Sequence, residues 1–180
     1  MELDNFSQRR IALLLHAFGG AIALLAGPLQ FVPCFRESSW NRHRLLGWIY
    51  CGAVLFGWCA SLWIAPHSQT GWIASSGFLV LGAAWIVATG IAVRFILRGD
   101  AISHRRWMIR SYTLTAAITL RIYLPLIFAF HWPFSIAYPA IAWLCWIPNA
   151  LAAEVYLHFA PTPSRLTLPA NLAGSSPQLP

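Results

Sequence analysis

The chain contains no lysine and only five acidic residues among its 180, so charged side chains make up 9% of it. Water-soluble domains carry about 25% charged residues, because their surfaces have to be hydrated. A soluble fold of this length is therefore excluded. The twelve basic residues are all arginines and give a net charge of +7. They stand in short breaks between apolar stretches, where cytoplasmic loops carry them. No basic strip interleaved with aromatics is present, so nucleic acid is not an expected partner. Walker loops, GxSxG, GxGxxG, HxxxH and HExxH spacings and triad signatures are missing too, which leaves soluble-type hydrolase, kinase and dehydrogenase readings without support. The four cysteines, Cys34, Cys51, Cys59 and Cys145, form no CxxC pair and have no zinc-like spacing. Three of them lie inside apolar stretches, where a thiol packs as a small hydrophobe.

Apolar residues make up 58% of the chain. Five stretches reach the roughly 20 helical residues needed to cross a hydrocarbon core of about 30 Å. They run from Ile11 to Pro33, Leu45 to Ala65, Trp72 to Leu97, Ile109 to Phe130 and Ile136 to Phe159. The expected fold is an all-α, polytopic membrane bundle formed as one domain over residues 1–160, with residues 161–180 a disordered cytoplasmic tail. Arg9-Arg10 and the apolar run behind them imitate a signal peptide. That run continues to Val32 through Gly, Gln and His without an Ala-x-Ala site, so it reads as a retained first span.

Arginine placement sets the expected orientation. The break between spans one and two holds Arg36, Arg42 and Arg44; that between three and four holds Arg98, Arg105 and Arg106. The remaining two breaks hold none. The positive-inside rule then puts the N-terminus outside and the C-terminus in the cytoplasm.

Small residues recur every four positions: Gly19, Ala23 and Gly27; Ala53, Gly57 and Ser61; Ala84, Ala88 and Ala92. Such stripes let helix backbones approach closely in lipid. Pro28, Pro125 and Pro148 are expected to bend their helices or free a carbonyl. Trp40, Trp48, Trp72, Trp107 and Trp132 lie near span ends, as interfacial aromatics do. His43-Arg44 opens span two and His104-Arg105 opens span four, which suggests two hairpins in a parallel repeat with a fifth helix added.

Ionisable groups inside a bilayer are costly and mark function by default. Glu154 is the only acid within a span. Arg110 and Arg121 are eleven residues apart, close to three turns, and share one face. Glu154 falls between them in depth and is a partner for either; Asn149 is nearer the depth of Arg121. On a straight helix Asn149 and Glu154 point about 140° apart, so both face the bundle only if Pro148 reorients them. Two readings stand: an ion pair that fixes helix register, and a ligand site of Arg110, Arg121, Asn149, Glu154 and Gln30.

The histidines divide by depth into an outer set, His16, His67 and His131, and an inner set, His43, His104 and His158. His16 shares a helical stripe with Gly20, Ala23, Gly27 and Gln30 that is expected to face the bundle. Two imidazoles on separate helices at one depth are what a six-coordinate haem b requires, so His16 with His131, or His43 with His104, would meet that need if their helices are neighbours. His67 and His158 read as ordinary interfacial residues.

Four segments stand in order along the chain: HAFGGAIALLAGPLQF from His16, NRHRLLGWIY from Asn41, HRRWMIRSYTLTAAITLRIYLP from His104 and WIPNALAAE from Trp146. Together they resemble the bacterial predicted-membrane-protein family called domain of unknown function 2306. The resemblance implies a membrane fold and no established reaction. It also implies that His16, Gln30, Arg36, His43, Arg44, His104, Trp107, Arg110, Arg121, Asn149 and Glu154 occupy motif positions. Three functions remain open: a haem-binding redox protein, which as an enzyme would be a membrane oxidoreductase; a transporter or small-ligand binder using the Arg/Glu/Asn group; and a structural or assembly protein. The lipid bilayer is the expected partner, with a second copy or a membrane redox protein as further ones.

Overall fold

The computed structural model describes residues 2–32, 40–67 and 71–160, and the side chains of 9–32, 41–66, 71–117 and 123–160. Arg36, the side chains of Trp40, His67 and Arg121, and the segment from 161 onward lie outside the described residues. Among the described residues seven α-helices follow one another: α1 (Glu2–Phe31), α2 (Trp40–Ile64), α3 (Trp72–Leu97), α4 (Ala101–Thr115), α5 (Leu120–Ala129), α6 (Phe134–Leu144) and α7 (Ile147–Phe159). No strand occurs among the described residues.

Among the described residues four helical segments are long and apolar enough to cross a membrane: Arg9–Phe31, Asn41–Ile64, Trp72–Leu97 and Phe134–Phe159. The expected fourth span is instead divided. A 3-10 stretch, Ala116–Thr119, separates α4 from the short apolar α5, which contains Pro125. The last span is also interrupted, at Cys145–Trp146, just before Pro148 in the first turn of α7. Proline has no N–H to give the preceding turn, so an interruption there leaves carbonyls to be satisfied otherwise. At α7 the Asn149 amide does so, donating through Nδ2 to the Cys145 carbonyl at 3.1 Å.

The outside of the bundle is apolar and the inside is small. Leu25 and Ile136 are each 72% exposed, while Ala23 and Ala92 are fully buried. This inverts the pattern of a soluble domain and is how a helical bundle sits in lipid, where close backbone packing holds helices together. The small-residue stripes lie at those contacts. A Cβ on Gly19 would stand 2.9 Å from both the Ala53 carbonyl oxygen and the Gly57 nitrogen, so α1 and α2 touch backbone to backbone. Gly27 in turn accommodates the Tyr112 ring of α4. The exposed Trp48, Trp72 and Trp132 suit the interfacial layer.

Arg98-Gly99-Asp100 makes the α3–α4 connection a tight hairpin. Gly99 takes φ +78°, a left-handed value that suits glycine. Its N–H reaches the Ile96 carbonyl and that of Asp100 reaches the Phe95 carbonyl, which closes α3 with a Schellman motif. Asp100 then caps α4 by accepting from the Ser103 N–H at 2.9 Å. The result is that α4 runs antiparallel to α3. The packing of Ser61 on Gly82 and of Gly57 on Trp85 shows α2 antiparallel to α3 as well. Hence α2 and α4 are parallel.

Candidate functional site

Tyr50 on α2 is fully buried, and its Oη lies 2.7 Å from Ser111 Oγ and 3.0 Å from Thr115 Oγ1 on α4. Trp85 of α3 donates its indole N–H to Thr115 Oγ1 at 2.9 Å. Thr89 Oγ1 lies 2.7 Å from Ser111 Oγ and donates to the Trp85 carbonyl at 2.8 Å. Each hydroxyl owns one proton, which constrains the directions. Because Thr89 gives its proton to the carbonyl, Ser111 must donate to Thr89 and accept from Tyr50. Thr115 then donates to Tyr50, or to the Ser111 carbonyl at 3.1 Å. The chain begins at the Trp85 indole and ends at the same residue's carbonyl, with no proton left over. It is a closed polar clasp across three helices, and closure of this kind holds a bundle without offering a ligand a vacant partner. Sequence reasoning passed over these residues, since a buried Ser, Thr or Tyr carries no charge to betray it.

The clasp also sets a register. His43 is seven residues before Tyr50, and His104 is seven before Ser111. Seven residues are almost two full turns, so each histidine lies below its clasp residue on the same helix face, about 10 Å away along the axis. Since α2 and α4 are parallel, His43 and His104 occupy one depth. Both are half-buried. His104 Nδ1 lies 2.8 Å from the Ala92 carbonyl of α3. A carbonyl only accepts, so this nitrogen carries a proton and donates it. His16 Nδ1 donates likewise to the Gly57 carbonyl, at 2.9 Å. Its stripe faces α2 as expected: Ala23 and Gly27 are buried, and Gln30, also buried, donates to the Leu46 carbonyl at 3.5 Å. His131 is exposed at the turn after α5, with φ +53°. No contact between His16 and His131 is among those described.

Arg110 pairs with Glu154 in a fork-to-fork contact, Nε to Oε1 at 2.6 Å and a terminal guanidinium nitrogen to Oε2 at 2.8 Å. The guanidinium also lies 4.8 Å from the centre of the Trp107 ring. Backbone register explains why Arg110 takes this acid. Gly77 of α3 meets the Ala142 carbonyl of α6, and twelve residues further on both chains come Thr89 and Glu154. Thr89 bonds Ser111, the neighbour of Arg110. Asn149 bonds back to Cys145 and does not join the pair. Arg44 and Arg105 are exposed beside His43 and His104. No group of three or more His, Cys, Asp or Glu side chains that would hold a metal ion occurs among the described residues.

The sequence profile of DUF2306, a predicted membrane protein family, matches residues 13–157. The chain belongs to this family. No curated protein and no solved structure matches it. The DUF2306 match spans the clasp, the His16, His43 and His104 positions and the Arg110–Glu154 pair, so these features lie within the family domain.

Proposed function

We propose that this protein is a small multi-pass redox protein of the bacterial inner membrane that binds haem b, with His43 and His104 as the axial pair. The observation that carries this reading is the clasp register, because Tyr50 and Ser111 are in contact and each histidine stands seven residues before one of them. Haem b takes one imidazole from each face of the ring. His104 supports the reading, since a carbonyl accepts from its Nδ1, the usual second contact of an imidazole that ligates through Nε2. Arg44 and Arg105, each next to a histidine, are suited to pair with the haem carboxylates. Bound haem would supply one-electron chemistry; the chain's part is to hold two imidazoles and exclude water.

An ultraviolet–visible spectrum of detergent-purified protein from haem-replete cells, before and after dithionite, tests this. A Soret band with sharpened reduced bands is expected, lost in His43→Ala and His104→Ala and kept in His158→Ala. A colourless protein overturns it. The second reading, a polar or anionic ligand held at Arg110 and Glu154, is favoured by the 55% exposure of the Glu154 side chain, which leaves the pair open to a ligand. It requires Glu154→Gln to abolish binding in a chain that still folds.

The orientation proposed with either reading has the N-terminus outside and the α3–α4 turn and the C-terminus in the cytoplasm. The arginines at both ends of that turn support it.

A further inference from the structure

Helices α4 and α7 run antiparallel, and the register that sets Arg110 opposite Glu154 carries on beyond that pair. One turn nearer the end of the bundle, Arg106 lies four residues before Arg110 and His158 four after Glu154. Residues four apart share a helix face, so Arg106 and His158 face one another where the previous level has a base against an acid. At the first level the charges cancel. At the second there are two donors and no acid. Arg106, Glu154 and His158 line an open cleft of about 370 Å³ whose other walls are Val155, Leu157 and Phe159. Among the described residues Arg106 makes no salt bridge, although its charge acts on Glu154; that carboxylate's two oxygens are both taken by Arg110, which leaves the Arg106 guanidinium its donors. The cleft therefore offers a net positive floor beside an apolar wall, at the arginine-rich end of the bundle.

We propose that this cleft binds the phosphate of an anionic phospholipid, with Arg106 and His158 donating to it and an acyl chain lying along Val155 and Phe159. A guanidinium matches phosphate oxygens in a planar fork, and basic clefts between membrane helices hold lipid headgroups by such contacts. The apolar wall selects a lipid over a free anion, which has nothing to lay there. This holds whether or not haem binds between α2 and α4.

The test is thermal unfolding of the full chain in neutral detergent with added phosphatidylglycerol, phosphatidylcholine of the same acyl chains, or inorganic phosphate. Phosphatidylglycerol is expected to raise the midpoint saturably, and the other two to leave it unchanged. Arg106→Gln should raise the half-saturating lipid concentration about fivefold, the ratio one basic side chain is worth at an anionic surface. Val155→Trp, which fills the cleft without altering charge, should do the same. Arg98→Gln removes an equal charge from an exposed position outside the cleft and should leave half-saturation unchanged. Each variant is read against its own lipid-free midpoint, so a destabilised one still reports. An equal loss in Arg98→Gln would reduce the effect to diffuse charge and overturn the proposal. A shift produced by inorganic phosphate alone, or an equal one by phosphatidylcholine, would also overturn it.

Discussion

Tyr50 Oη and Ser111 Oγ meet at 2.7 Å across two parallel helices, and each residue follows a histidine by seven positions. The same contact that closes the polar clasp thereby aligns His43 with His104. Loosening the clasp should consequently loosen the alignment.

Tyr50→Phe removes one acceptor and one donor from the clasp. Thr115 retains the Ser111 carbonyl as an alternative acceptor, so the damage is limited. Interhelical hydrogen bonds in membranes average ~0.6 kcal/mol with a maximum of ~1.7. The expected loss is about 1 kcal/mol, read from the SDS concentration that unfolds the detergent-solubilised protein. An unchanged midpoint would show that the clasp contributes nothing to folding.

Adjacent glycines of α1 should respond in opposite ways. A Cβ at Gly19 meets backbone atoms of Ala53 and Gly57, which have no rotamer to shift, whereas one at Gly20 meets nothing within 4 Å. Gly19→Val should cost about 1–3 kcal/mol by overpacking, and Gly20→Ala should be tolerated. Equal tolerance, measured by unfolding and size-exclusion profile, would contradict the close α1–α2 approach.

Glu154→Gln leaves the Arg110 guanidinium on the Trp107 ring without its carboxylate. The carboxylate is more than half exposed, and exposed ion pairs are worth about 0.2–1 kcal/mol, so a loss in that range is expected. The double variant Arg110→Gln with Glu154→Gln should lose less than the sum of the two single variants, since removing one partner strands the other. Strict additivity would mean that the contact has no coupling energy.

Orientation is open to cysteine labelling in a background from which Cys34, Cys51, Cys59 and Cys145 have been removed. A cysteine at His131 is expected to react with a membrane-impermeant maleimide in intact spheroplasts. One at Arg105 should react only after permeabilisation. The reverse pattern would invert the proposed topology.

Much of the architecture was legible in the chain itself. Long apolar runs with almost no charge admit only helices in lipid, because every backbone polar group must be satisfied internally. The stripe of Gly19, Ala23 and Gly27 was consistent with close packing, since small side chains let helix backbones approach. The cost of burying charge singled out Glu154 and Arg110. Less legible was the division of the fourth span into α4 and α5, because hydropathy registers apolarity and is blind to a 3-10 stretch inside an apolar run.

Composition, periodicity and arginine placement determined by themselves that this is an all-α membrane protein and where its costly residues lie, because transfer into lipid is a property of each residue and of its spacing. Which residues meet was decided by tertiary structure alone. Asn149 and Glu154 lie on one short helix, yet Asn149 turns back to the Cys145 carbonyl while Glu154 reaches Arg110. The Tyr50 clasp was likewise invisible, since uncharged hydroxyls cost little to place in a sequence and gain their meaning only when neighbouring helices bring donor to acceptor. Pairing depends on helix register, and register is fixed by contacts such as Gly77 on Ala142 that lie far from the residues they align.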